Sequence, residues 1–166
     1  MDENTLELAK FIIDWNRMDK GIDPKDRKKI TLMFMSPGGD LEVNNMLSNT
    51  IEMSETPIVG VNVGQACSAA CFIYLACDER YSFPDAQFLI HQGSASNISG
   101  TYEEVLAYIL NYQRQINNLG KYILRKTNIT EDEFDEHFDS DWWIDAEEAV
   151  KLGICEKIIT SLDEII

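Results

Sequence analysis

The sequence predicts an α/β fold in which repeated βαβ units build a largely parallel sheet. Apolar runs of strand length alternate along the chain with amphipathic runs of helix length, and turn or cap motifs separate them. At 166 residues the chain is long enough to bury one sizeable core, and no linker or internal repeat interrupts it. We therefore expect a single domain over residues 1–166.

The first half of the chain alternates helix and strand. An amphipathic opening helix precedes a charged loop, and a buried strand then ends at Ser-Pro-Gly-Gly in residues 36–39. A second helix, a second apolar strand and an alanine-rich helix follow. The predicted elements are helices over residues 3–18, 41–53 and 68–76 and strands over residues 30–35 and 57–63.

The second half begins with two short strands that flank a Pro-Asp turn at residues 84–85. Residues 101–104 (Thr-Tyr-Glu-Glu) and 130–133 (Thr-Glu-Asp-Glu) have the form of capping boxes and open two helices. Gly153 stops the last helix. The predicted elements are strands over residues 80–83, 87–91 and 154–159, helices over residues 101–126, 130–138 and 145–152, and loops over residues 92–100 and 139–143.

The long helix over residues 101–126 is apolar on more than one side. Such a helix usually has more than one partner, and a second subunit would supply one. The alternative is burial inside its own domain.

Charge and composition exclude several classes of function. The 14 basic and 29 acidic residues give a net charge of −15, which argues against a nucleic-acid surface and against docking on an anionic membrane. The apolar stretches are too short to cross a bilayer, and the N-terminus has no secretory pattern. The four cysteines have no metal or disulfide spacing, so we expect buried, reduced thiols and a cytoplasmic protein without a metal or organic cofactor.

Ser68 is the candidate nucleophile. It stands between the apolar run that ends at Gly64 and an alanine-rich helix, and a helix N-terminus favours negative charge nearby. The simpler interpretation is that the Ser68 hydroxyl only caps the helix. The adjacent Cys67 is a weaker candidate, because no basic residue stands near it.

The candidate base is His91, one of only two histidines, which ends an apolar strand just before a polar loop. His137 lies in an acidic run and is predicted to be a solvated helix residue. A catalytic histidine needs an orienting carboxylate. The residue types alone do not single out one of the 29 acidic residues. Asp141 is attractive, because Trp142 and Trp143 follow it and would shield the pair from water.

Backbone amides at two places are candidates for an oxyanion hole. The glycine pair of the Ser-Pro-Gly-Gly turn at residues 36–39 can aim N–H groups into a cleft and would supply one half, and the amide of Ala69, which begins the helix after Ser68, would supply the other. Amides on both sides of a nucleophile would stabilise the negative charge that its attack creates.

Four motifs in order resemble the ClpP family, the proteolytic subunit of the Clp protease. They are Ser-Pro-Gly-Gly at residues 36–39, Gly-Gln-Ala-Cys-Ser at 64–68, Ile-His-Gln at 90–92, and Asp141 ahead of Ala-Glu-Glu-Ala at 146–149. Each motif alone is weak, but the series covers nearly the whole chain at fitting intervals.

The resemblance implies a crotonase-like fold with a protruding helical handle at about residues 92–127. It assigns Ser68 as nucleophile, His91 as general base and acid, Asp141 as the residue that orients His91, and Gly39 and Ala69 as oxyanion donors. It also implies heptameric rings, which stack into a tetradecamer, and unfolded polypeptide substrates delivered by a separate Clp-type ATPase. Ser140 replaces the arginine that is common before the aspartate, and Gly93 replaces the usual proline.

Two alternatives remain at this stage. One is a non-catalytic ClpP-like subunit of a mixed ring, which a serine-directed fluorophosphonate would not label at Ser68. The other, less favoured, is a crotonase-like acyl-CoA enzyme, which would use the Gly39 and Ala69 amides on a thioester and would bind coenzyme A.

Overall fold

The computed structural model describes residues 3–95 and 98–165, which fold around a six-stranded sheet. The helices are α1 (Glu3–Met18), α2 (Leu41–Glu52), α3 (Ala69–Ala76), α4 (Tyr102–Lys126), α5 (Glu131–His137) and α6 (Ala146–Lys151). The strands are β1 (Ile30–Ser36), β2 (Ile58–Cys67), β3 (Glu79–Ser82), β4 (Gln87–Ile90), β5 (Trp142–Asp145) and β6 (Lys157–Ile158). Short 3-10 turns cover Pro24–Asp26 and Leu162–Glu164.

Strand β2 is the centre of the sheet, which runs β5-β4-β2-β3-β6 with β1 also paired to β2. Because β1 lies along one edge of β2 for nearly its whole length, β3 and β4 share the other edge in succession. The β1–β2 register slips after Phe34, where Val63 and Gly64 bulge out of the ladder. All pairs are parallel except β4 with β5, and the predicted βαβ architecture is thus confirmed.

Three predicted boundaries were wrong. Strand β2 continues four residues past Val63 to Cys67, because the chain passes Gly64 as a bulge and then gains β4 as a new partner. Residues 142 and 143 were predicted as loop but begin β5, which pairs antiparallel with β4. The last strand is only Lys157–Ile158, since pairing with β3 covers just those two residues.

Helix α3 is fixed to the sheet by Tyr74, whose ring is fully buried. Its ring packs edge-on against Phe34 and tilted against Phe88, with both centroid distances 5.3 Å. The Tyr74 hydroxyl donates a hydrogen bond to the Tyr81 carbonyl oxygen at 2.9 Å. Each aromatic contact of this kind adds roughly 0.5–1.5 kcal/mol to the stabilisation from burying apolar surface, so these contacts fix α3 against the sheet.

Helix α4 divides into two halves. Its C-terminal half contributes Ile116, Leu119 and Ile123 to the core, whereas the N-terminal half exposes a set of large apolar side chains. That set is Tyr102, Leu106, Tyr108, Ile109 and Leu110. Burial inside this chain therefore does not account for the apolar faces of the helix. In the described residues, no helix is long and apolar enough to cross a membrane.

Candidate active site

Ser68 occupies a strained junction between β2 and α3. Its backbone has φ 53° and ψ −128°, and it is the only non-glycine residue with positive φ in residues 3–95 and 98–165. Such a conformation costs of order 1–3 kcal/mol and collects at functional sites. Ser68 holds the N-cap position, yet its side chain makes no capping hydrogen bond. The simpler interpretation, a capping serine, is therefore wrong, and the hydroxyl is free for another partner.

That partner is His91. Strand β4 pairs with β2 over Gln65–Cys67, and the Ser68 amide donates a hydrogen bond to the Leu89 carbonyl oxygen at 2.8 Å. Because β4 ends one residue later, the imidazole of His91 comes beside Ser68, with Nε2 2.7 Å from Oγ. At this distance Nε2 of the neutral imidazole accepts a hydrogen bond from the Ser68 hydroxyl when the ring carries its own proton on Nδ1.

Asp141 faces that Nδ1 from the neighbouring strand. Ile90 pairs with Trp142 across the antiparallel β4–β5 ladder, so Asp141 lies opposite His91 where the ladder ends. Its Oδ1 is 3.3 Å from Nδ1. The expected shielding is wrong: Trp142 is buried, but the Asp141 side chain is 64% exposed and Trp143 is exposed as well.

The Ser-Pro-Gly-Gly turn presses against the same junction. Gly38 has φ 98°, and a Cβ atom there would lie 2.5 Å from the Cys67 carbonyl oxygen and 2.7 Å from the Ser68 Cβ. The next residue, Gly39, precedes Asp40, whose carboxylate accepts the Glu42 amide hydrogen bond at 2.7 Å and caps α2. Gly38 therefore lies against the Ser68 junction with no room for a side chain, as close approach of a backbone demands.

These groups open into one cavity of about 290 Å³. Its lining includes Gly39, Ser68, His91, Phe72, Tyr108 and Tyr112. Ala69 begins α3 directly after Ser68, and the first N–H groups of a helix have no partner within the helix. Polar side chains, Asp40, Glu42, Asn111 and Gln115 among them, make up more of the lining than the aromatic and aliphatic ones. A concave site that offers both kinds of group suits a ligand with hydrogen-bonding groups.

The other two candidates do not join the site. His137 is half-buried rather than solvated, and its ring stacks on Trp142 with centroids 4.4 Å apart. Cys67 is buried, and burial raises the pKa of its thiol, which disfavours the reactive thiolate. All four cysteines are free and buried, as predicted.

Sequence reasoning missed a contact beside the triad candidates. Gln92 donates a hydrogen bond from Nε2 to the Asp139 carboxylate, and its carbonyl oxygen accepts one from the Tyr112 hydroxyl at 3.0 Å. Gln92 stood in the Ile-His-Gln motif, but 47 residues separate it from Asp139, and no local pattern marks such a pair.

Comparison with known proteins identifies the family. The profile of the Clp protease family matches residues 22–162. The chain belongs to the Clp protease family. Relatives include ATP-dependent Clp protease proteolytic subunit 2 of Pseudomonas aeruginosa, 33% identical over 138 residues that cover 82% of this chain and 68% of the relative. The same-named protein of Treponema denticola is 29% identical over 140 residues, which cover 83% and 70%.

A solved structure agrees on the fold. A ClpP1 mutant from Listeria monocytogenes superposes with a TM-score of 0.75 at 23% identity, covering 93% of this chain and 87% of that one. The resemblance to the family's proteolytic subunits is thereby confirmed, and so is the α/β fold of ClpP type.

Proposed function

We propose that this member of the Clp protease family is a serine endopeptidase that cleaves unfolded polypeptides through an acyl-enzyme. The observation that carries the proposal is the 2.7 Å contact between Ser68 Oγ and His91 Nε2 at the end of a cavity. The strain at Ser68 and the absence of a capping bond support it, because both leave the hydroxyl aimed at the imidazole.

The chemistry follows from the positions of these groups. His91 takes the hydroxyl proton as Ser68 Oγ attacks the peptide carbonyl carbon, and the amides of Gly39 and Ala69 stabilise the oxyanion. When the tetrahedral intermediate collapses, the C–N bond breaks and His91 gives the proton to the leaving amine. Water then attacks the Ser68 ester with His91 again as base, the C–O bond to Ser68 breaks, and His91 returns the proton to Ser68 Oγ as the acid product leaves. Asp141 holds the proton-bearing Nδ1 toward itself and stabilises the imidazolium.

The proposed working form is a ring of identical subunits. The exposed apolar half of α4 supports burial against another subunit, and the chain's relatives are named subunits of an ATP-dependent protease. We take the ring to be heptameric, with two rings stacking through the handle, residues 92–127, into a tetradecamer. A separate Clp-type ATPase would deliver unfolded chains. The buried free thiols support a reducing, cytoplasmic location.

The test compares hydrolysis of a short fluorogenic peptide by the wild-type chain and by Ser68→Ala. We expect Ser68→Ala to lose at least about 10³-fold in rate, because no acyl-enzyme forms without the hydroxyl. Ser99→Ala is the matched control, since Ser99 is exposed and is not among the residues that line the cavity, and it should leave the rate unchanged. Equal hydrolysis by wild type and Ser68→Ala would remove Ser68 from the mechanism, and native mass spectrometry of the same samples reports the ring.

A further inference from the structure

The carboxylate that faces His91 stands in a short, exposed segment. Residues 138–141 connect α5 to β5, and the Asp141 side chain is 64% exposed. A charge so open to water is weakly held by packing, and a surface ion pair alone gives little positional control. Something else must fix the 3.3 Å contact between Asp141 Oδ1 and His91 Nδ1.

Two sets of hydrogen bonds hold the segment, one to α5 and one to Gln92. Ser140 donates from its amide and from its hydroxyl to the His137 carbonyl oxygen, each at 3.1 Å, which ties the segment back to α5. Asp139 accepts the hydrogen bond from Gln92 Nε2. Gln92 is the residue next to His91, so this second bond joins the segment that carries Asp141 directly to the residue beside the imidazole.

Gln92 is itself anchored. Its carbonyl oxygen accepts the Tyr112 hydroxyl at 3.0 Å, and Tyr112 belongs to the long helix α4. The following residue, Gly93, has φ 79°, and a Cβ atom there would lie 3.4 Å from the same Tyr112 hydroxyl. The side chain of Gln92 therefore extends from an anchored backbone and links α4 to the Asp139 carboxylate. We call this hydrogen-bonded link from Tyr112 through Gln92 to Asp139 the strut.

We propose that Gln92 and Asp139 are positioning residues that set the distance between His91 and Asp141. The inference rests on the proposed function, because it gives the pair a role in orienting the general base. Gln92 lines the candidate cavity, but its side-chain amide is committed to the Asp139 carboxylate, and Asp139 is not among the lining residues. A hydrogen bond of this kind changes an equilibrium by about three- to tenfold, so we expect losses in kcat of that size with KM unchanged.

The experiment reverses the direction of the hydrogen bond. Gln92→Glu places two carboxylates face to face and should lower kcat by about tenfold. Asp139→Asn keeps an acceptor oxygen for Gln92 and should lower kcat by less than about threefold. The double variant Gln92→Glu with Asp139→Asn lets the new amide donate to the new carboxylate, so kcat should return to within about twofold of wild type.

Two controls separate geometry from charge. Asn45→Asp adds a negative charge on an exposed face of α2, and Glu136→Gln removes one from the exposed end of α5. Both should leave kcat unchanged. Full activity in Gln92→Glu, or failure of the double variant to recover while its thermal melting matches wild type, would overturn the proposal.

A separate measurement distinguishes failure of the proposed function from failure of the positioning role of Gln92 and Asp139. If the wild-type chain hydrolyses no peptide, the assignment of Ser68 fails, and the strut is then judged by NMR of isotope-labelled histidine. The chain has only two histidines. The strut predicts that Gln92→Glu shifts the His91 imidazole signals and that the double variant restores them. Unshifted His91 signals in Gln92→Glu would contradict the strut whatever the activity.

Discussion

Gly38→Ala is the substitution whose consequences can be worked out most fully. A Cβ at residue 38 would lie 2.5 Å from the Cys67 carbonyl oxygen, 2.7 Å from the Ser68 Cβ and 3.1 Å from the Ala69 amide nitrogen. Two of those three atoms belong to the backbone at the β2–α3 junction. They cannot move aside as the end of a flexible side chain could, so the backbone itself would have to shift. The backbone at Gly38 also has φ 98°, where an alanine is strained.

The expected cost combines two effects. A non-glycine residue in the left-handed region loses about 1–2 kcal/mol, and forcing extra atoms into a packed site costs about 1–3 kcal/mol. Gly38→Ala should therefore lower the free energy of unfolding by about 2–5 kcal/mol. A typical domain has about 5–15 kcal/mol in total, so the variant should be visibly destabilised. Relief of the overlap would push Ser68 away from His91 and lower hydrolysis as well.

The adjacent Gly39→Ala is the matched control. A Cβ at residue 39 meets no atom within 4 Å, and the amide proposed as an oxyanion donor is kept. Urea denaturation at one fixed protein concentration measures both variants without a change in assembly. We expect Gly39→Ala to stay within about 1 kcal/mol of wild type. Equal stability and activity of the two variants would refute the described fit between the Ser-Pro-Gly-Gly turn and Ser68.

Two further predictions concern the proposed base and the thiols. His91→Ala should lower the rate of peptide hydrolysis by about 10²–10⁴-fold. Asp141→Asn should lower it by only about 10–100-fold, because the Asp141–His91 contact is 3.3 Å long and the Asp141 side chain is mostly exposed. Initial rates on one fluorogenic peptide test this order, and an equal or larger loss in Asp141→Asn would contradict it. Burial raises the pKa of the Cys71 and Cys77 thiols to about 12. At pH 8 both thiols should therefore stay protonated and resist iodoacetamide in the native protein, and both should react readily in denaturant. Peptide mass mapping measures the alkylation, and rapid alkylation of the native protein would show that the two thiols are not buried.

Much of the fold follows from local patterns in the sequence. The capping boxes opened by Thr101 and Thr130 are both formed, with each threonine accepting from the residue three positions later. These motifs predict helix starts because their hydrogen bonds join residues a few positions apart. The alternation of strand and helix likewise predicts the parallel sheet, since each short connection leaves few topologies.

Other features depend on residues far apart in sequence. Strand β5 forms because Trp142 and Trp143 pair with Ile90 and Leu89 across roughly fifty residues of chain, and nothing local marks residues 142–143 as a strand. The extension of β2 past Gly64 needs both the bulge against β1 and the arrival of β4. Non-local pairing of this kind overrides local propensity.

Part of the candidate site also follows from local patterns in the sequence, and part depends on residues far apart in the chain. Ser68 and His91 were predicted from their places at element ends, where loops carry function. The exposure of Asp141 and the hydrogen bond from Gln92 to Asp139 were not, because they depend on how the segment after α5 lies against β4. Residue types alone also left the choice among 29 acidic residues open.

The most direct measurement is mass-spectrometric mapping of the native chain after reaction with a fluorophosphonate, alongside His91→Ala. An activated serine forms a stable phosphonyl ester with loss of fluoride, and an idle serine does not react. We expect one adduct on Ser68 in the wild-type chain and little or none in His91→Ala. An unlabelled Ser68 in a sample that hydrolyses peptide, or an adduct on a different residue, would contradict it.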